Sequence, residues 1–142
     1  MESSQTIKSS VDKRMIFSTL WIFVTLNYLY CDVIGLMDPF LLNQYLSGTI
    51  SSIKIDENFL LGGAILMEIP ISMVLLSRIL TFKSNRLANI IAGTIKTLAM
   101  LASFFVGTPS SYYMFFAGIE ILTTCFIVYY AWKWKEAADH VI

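Results

Sequence analysis

The chain is poor in the residues from which most active sites are built. It has one histidine, His140, near the C-terminus, and two cysteines, Cys31 and Cys125. A lone histidine in the tail excludes histidine-ligated haem inside a membrane and the Glu-x-x-His pattern of di-iron helical proteins. Cys-x-x-Cys is missing, and helix rise sets Cys31 and Cys125 more than ~10 Å apart along the helix direction, beyond disulfide reach. There is no phosphate-binding glycine loop, and no serine or cysteine nucleophile has a partnering base, so neither a cofactor nor a metal is expected. The seven methionines are scattered at helical positions and read as packing, not as copper ligands. Charge is scarce as well. Ten basic and ten acidic residues cancel, and charged residues make up only 14% of the chain. Without a polybasic cluster there is no footprint for nucleic acid and only a weak one for anionic lipid.

What replaces the missing charge is hydrophobic sequence. Of 142 residues, 56% are hydrophobic, far from the soluble average, so the composition is that of a membrane protein. Four windows reach the ~20 apolar residues that a hydrocarbon core of about 30 Å demands of a helix: residues 15–36, 59–80, 87–106 and 112–134. The first follows Lys13 and Arg14, as a signal peptide would, but it is too long for an h-region and lacks a small-x-small cleavage site, so it reads as a retained span. The expected fold is all-α, a four-helix transmembrane bundle occupying residues 15–134. A cytoplasmic segment (1–14) precedes it and a cytoplasmic tail (135–142) follows.

Orientation follows from the basic residues. Lys8, Lys13 and Arg14 precede span one, Arg78, Lys83 and Arg86 bracket the turn between spans two and three, and Lys133 and Lys135 follow span four. All lie on one side, while the other side has only Lys54, so both termini are expected in the cytoplasm of a multi-pass cell-membrane protein. Tyr112 and Tyr113 fall at the outer interface, and Tyr129, Tyr130, Trp132 and Trp134 at the inner one. Asp56, Glu57 and Asn58 are N-cap candidates for span two, and Asn85 for span three. Gly107-Thr108-Pro109-Ser110-Ser111 supplies the last turn. In the long outer loop, Asp38-Pro39 opens a short interfacial helix over Phe40 to Leu46 that ends at Gly48. Ile50, Ile53 and Ile55 then form a β-like stretch.

Three of the four windows carry an ionisable residue near the middle: Glu68, Lys96 and Glu120. Glu68 lies nine residues from Phe59, Lys96 ten from Arg86 and Glu120 nine from Ser111, or about 14 to 15 Å from a boundary. A lone charge at that depth costs at least ~2.5 kcal/mol. Span one adds Asn27 at similar depth and Asp32 further out, with Tyr28 one turn before Asp32 and able to hydrogen-bond it. Small residues flank the charges: Ala64 and Ser72 around Glu68, Ala117 and Thr124 around Glu120, and a stripe of Ala88, Ala92, Ala99 and Ser103 beside Lys96. This pattern is expected of interior faces. Two carboxylates against one ammonium leave a negative charge for a proton or a cationic ligand to neutralise. Pro70 frees the carbonyl of Leu66 beside Glu68 and is expected to kink or hinge span two.

The run Phe59-Leu60-Leu61-Gly62-Gly63-Ala64-Ile65-Leu66-Met67-Glu68-Ile69-Pro70, the stretch Asn85 to Gly93, and Gly118-Ile119-Glu120 resemble a family of small prokaryotic four-span membrane proteins of unknown function. The likeness covers nearly the whole chain. An acidic residue midway along span two followed by a basic turn, Glu68 and Arg78, is more distantly similar to the DoxX-like superfamily. That likeness implies quinone or thiol redox partnerships or an accessory role, and the chain lacks the cysteines for a direct thiol role.

Three functions fit these residues. The first is a small carrier or ligand-binding protein in the lipid bilayer, with Glu68 and Glu120 accepting a proton or cation and Lys96 orienting them. The second is an intramembrane acid-base enzyme acting on a lipid-like substrate, which requires an apolar cavity beside Glu68. The third is an accessory subunit of a larger membrane complex in which the charges only fix helix register. Homo-oligomerisation stays open.

Overall fold

The computed structural model describes residues 2–106 and 108–135, with side chains described from Lys13 onward; Lys8's side chain, Gly107, His140 and the rest of the tail lie outside the described residues. Among the described residues the fold is all-α with five helices: α1 (Glu2–Met37), α2 (Pro39–Ser47), α3 (Glu57–Ile79), α4 (Phe82–Ser103) and α5 (Ser111–Lys133), with a hairpin of β1 (Thr49–Ile50) and β2 (Ile53–Lys54) after α2. Three helical stretches are long and apolar enough to cross a membrane: Lys13–Met37, Glu57–Ile79 and Ser111–Lys133. α4 has 22 residues, a sufficient length, but it carries Lys83, Arg86 and Lys96 and is the least apolar of the four long helices.

Local chemistry explains most boundaries. Proline disfavours a helical residue before it, so α1 stops and Asp38 turns extended, its carboxylate accepting from Phe40 N at 2.9 Å as the N-cap of α2. Gly48 ends α2 at φ +74°, a left-handed position suited to glycine. Asp56 caps α3 by accepting from Phe59 N at 2.9 Å. The expected short helix, β-like stretch and acidic cap are therefore all present. α1, in contrast, begins thirteen residues before its apolar window, because hydropathy reports burial preference and not where a helix can start.

Asn85 corrects the sequence reading. It does not cap α4, whose N-cap is Thr81. It lies fully buried in the first turn and donates from Nδ2 to the carbonyl of Ser77 at 2.6 Å. That carbonyl is in the last turn of α3, where no intrahelical donor remains. The side chain thus closes the end of the preceding helix across a two-residue turn.

The four long helices pack side by side, α1 against α3 and α5, and α4 against α3 and α5, so that α1 and α4 occupy opposite corners. Alternating direction along the chain makes α1 and α4 parallel. The core at the basic end is aromatic: Phe17 lies 5.3 Å from Tyr130 and 5.4 Å from Trp134 (ring centroids), and Phe82 meets Trp134 edge-on at 5.0 Å. α4 and α5 pack tightly at Gly93, where an added Cβ would sit 2.7 Å from Val128 Cγ2 and 3.3 Å from the Thr124 carbonyl oxygen. Gly93→Ala should therefore destabilise the fold by about 1–3 kcal/mol through overpacking, despite alanine's higher helix propensity. Adding Val128→Ala should recover much of the loss in a denaturant titration, and an unrecovered double variant would place the clash elsewhere.

Candidate functional site

Two polar layers cross the packed helices, and their hydrogen bonding differs. The first, nearer the basic end, is nearly saturated. Trp21 on α1 donates from Nε1 to Asn89 Oδ1 at 2.7 Å, and Asn89 donates from Nδ2 to Asn85 Oδ1 at 2.7 Å and to the Asn85 carbonyl at 2.9 Å. Asn85 then reaches Ser77 O as described. Beside this chain, Ser18 Oγ donates to the Val74 carbonyl at 2.8 Å and accepts from Arg78 Nε at 2.9 Å. All five neutral polar or indole side chains here, Trp21, Asn85, Asn89, Ser18 and Ser77, are fully buried, and among them only the Ser77 hydroxyl has no partner. Satisfied buried networks of this kind specify one packing.

The second layer lies seven residues further along both α1 and α4, or about 10 Å by helix rise. Lys96, 4% exposed, projects from α4 over the ring of Tyr28 on α1, with Nζ 3.9 Å from the centroid. This is close cation–π geometry. Its other partner is Met67 Sδ on α3, at 3.8 Å, a weak acceptor. Glu120 on α5 is 1% exposed, and neither carboxylate oxygen receives a hydrogen bond from the described residues; the Tyr28 hydroxyl is likewise buried and unpartnered among them. Each long helix contributes one side chain: Tyr28, Met67, Lys96 and Glu120. Beneath the acid, Thr124 Oγ1 donates to the Glu120 carbonyl at 2.9 Å and pairs with Thr97 Oγ1 at 2.7 Å. Buried groups normally find partners, yet in this layer the Glu120 oxygens and the Tyr28 hydroxyl find none among the described residues.

The residues expected at the site are thus divided. Lys96, Glu120 and Tyr28 come together. Glu68 does not join them: it is exposed on the outer surface of α3 and accepts from its own helix, Ser72 Oγ, at 3.0 Å. The reason is angular. The inward face of α3 runs through Pro70, Met73 and Ser77, and at 100° per residue Glu68 stands about 200° from Pro70. Small neighbours do not mark an inward face here: Ala64, one turn before Glu68, is exposed as well, and Gly62 and Gly63 face open space. Asn27 is half-buried and donates to the Phe23 carbonyl at 2.9 Å, spending its amide on its own helix. Asp32 is exposed, and the free Tyr28 hydroxyl shows that the expected Tyr28–Asp32 bond is not made. Pro70 is fully buried inside α3.

Trp21, Asn89, Thr97 and Met67 were not singled out by sequence. One signal could have found Asn89: Asn85, Asn89, Ala92 and Lys96 recur at helical spacing on one face, and all are buried. Cys31 is buried and Cys125 exposed, and both are free thiols. Among the described residues no three histidine, cysteine or carboxylate side chains group as metal ligands.

At the acidic end of the helices a cleft of about 720 Å3 opens between α2, the hairpin, the end of α4 and the start of α5. Ser103 and Tyr113 belong to its lining and hydrogen-bond each other. Each lies seven residues from the buried layer, Ser103 from Lys96 and Tyr113 from Glu120, on the same faces of α4 and α5.

Searches of the curated proteins and of the solved structures find no match, and nothing ties the chain to the DoxX-like proteins. The model of a family of unknown function, DUF6326, matches residues 6–140. Nearly the whole chain is matched, and the protein belongs to that family.

Proposed function

We propose that the protein is a multi-pass membrane protein in which all four long helices cross the bilayer as a bundle, and that the Tyr28–Lys96–Glu120 layer relays protons. The single observation that carries this is Glu120: a carboxyl group with almost no exposure and no donor among the described residues on either oxygen. Such a group must hold a proton or accept one from something that enters. Lys96 is held by a ring and a thioether, so its ammonium keeps hydrogen-bonding capacity for an incoming acceptor.

The low hydropathy of α4 is compatible with a span, because Asn85, Asn89 and Lys96 all face inward and hydropathy counts residues whichever way they point. The basic residues support the orientation: the start of the apolar part of α1, the α3–α4 turn and the end of α5 lie at one end of the bundle, and that end is assigned to the cytoplasm of the cell.

Proteoliposomes loaded with a pH-sensitive dye test the reading under an imposed proton gradient. Wild-type protein should acidify the lumen faster than empty vesicles do, and Glu120→Gln should reduce the difference at least tenfold, while Glu68→Gln leaves it within twofold. A wild-type rate equal to that of empty vesicles, or one unaltered by Glu120→Gln, overturns the proposal.

A further inference from the structure

The cleft at the acidic end has a chemistry of its own. Four aromatic rings line it, those of Phe40, Tyr45, Tyr112 and Tyr113. Among the described residues its only lining side chain charged at neutral pH is that of Asp38, and no lysine or arginine borders it. The volume, about 720 Å3, is that of small-molecule sites. The surrounding segment adds to the negative sign: between residues 32 and 57 there are four carboxylates, Asp32, Asp38, Asp56 and Glu57, and one lysine, Lys54. A cleft edged by one sign of charge concentrates counter-ions at its mouth. Aromatic faces present negative quadrupole to a cation and apolar surface to its substituents. The phenol of Tyr45 stays neutral there, held above its usual range by burial first and then by the negative charge of Asp32.

We infer that this cleft binds a small organic cation, a substituted ammonium whose apolar groups rest on the tyrosine and phenylalanine rings while Asp38 and its acidic surroundings balance the charge. An anion would meet the Asp38 carboxylate with no basic side chain among the described lining residues. A neutral solute would leave the charge pattern unused. Binding here does not depend on Glu120, which lies two helical turns deeper along α5.

Calorimetric titration of the purified full chain in detergent tests it, with benzyltrimethylammonium as the probe and benzoate as an anion of similar size. Saturable binding of the cation and none of benzoate is expected. Tyr45→Leu and Tyr112→Leu should each weaken binding by about three- to tenfold, whereas Tyr45→Phe, which keeps the ring face, should stay within twofold. Asp38→Asn removes the charge but preserves an N-cap for α2, and should weaken binding several-fold, with the loss shrinking in high salt. Glu120→Gln should bind the probe like wild type, which separates this inference from the proton-relay reading. Equal affinity for benzoate, no binding by protein with an unaltered thermal midpoint, or indifference to both leucine variants and Asp38→Asn would overturn it.

Discussion

Lys96→Met is expected to destabilise the protein by about 3–5 kcal/mol, and the double variant Lys96→Met/Glu120→Gln to recover most of that loss. The single change leaves the almost fully buried Glu120 without the ammonium of its own layer, and a carboxylate ionised there carries a penalty of this size, whereas a carboxyl that holds its proton does not. Methionine is close to lysine in length and should pack on the Tyr28 ring and Met67, so little of the effect comes from lost volume. Neutralising the acid as well removes the imbalance, and a hydrophobic–neutral pair can equal a buried ion pair in stability. Unfolding of the four proteins in a denaturing-detergent titration closes the double-mutant cycle. Additive losses in the double variant would show that the two charges do not interact energetically.

The second large effect is expected at Asn89. Asn89→Leu should cost about 3 kcal/mol, because it strands two buried polar groups together: the Trp21 indole N–H loses its acceptor and Asn85 Oδ1 loses its donor. Trp21→Phe alone should cost less, since it leaves Asn89 bonded to Asn85. Combining Trp21→Phe with Asn89→Leu should therefore be less harmful than the sum of the two, as one of the stranded groups is gone. Near-ultraviolet circular dichroism followed through thermal unfolding would report Trp21 directly. If Asn89→Leu melts with the wild type, the network is not what holds α1 against α4.

Much of this was legible in the sequence, and what was not shares one cause. Length and apolarity are averages along a segment, so the number of long helices and the boundaries at Asp38-Pro39, Gly48 and Asp56 could be read from local chemistry. So could the similar level of Lys96 and Glu120 along their helices, since rise per residue is fixed. Rotation about the helix axis was harder. Glu68 and Met67 are adjacent and differ by 100°, and the polar residue of the two was read inward when the thioether is the one that meets Lys96. A transmembrane face and an interior face cannot be told apart by small residues alone, because Gly62 and Gly63 also suit an open surface. Asn85 illustrates a further limit. Asparagine before an apolar run resembles a cap, and only the two-residue turn reveals that the helix it closes is the previous one.

The two contacts between opposite corners, Trp21 with Asn89 and Tyr28 with Lys96, have a mechanical consequence. They are spaced by the same seven residues on two parallel helices, so they behave like two pins through a pair of rails. A slide or roll of α4 along α1 would shear both at once, one of them a buried hydrogen bond. A movement that opens the layer around Glu120 therefore either keeps α1 and α4 in register or breaks both contacts together.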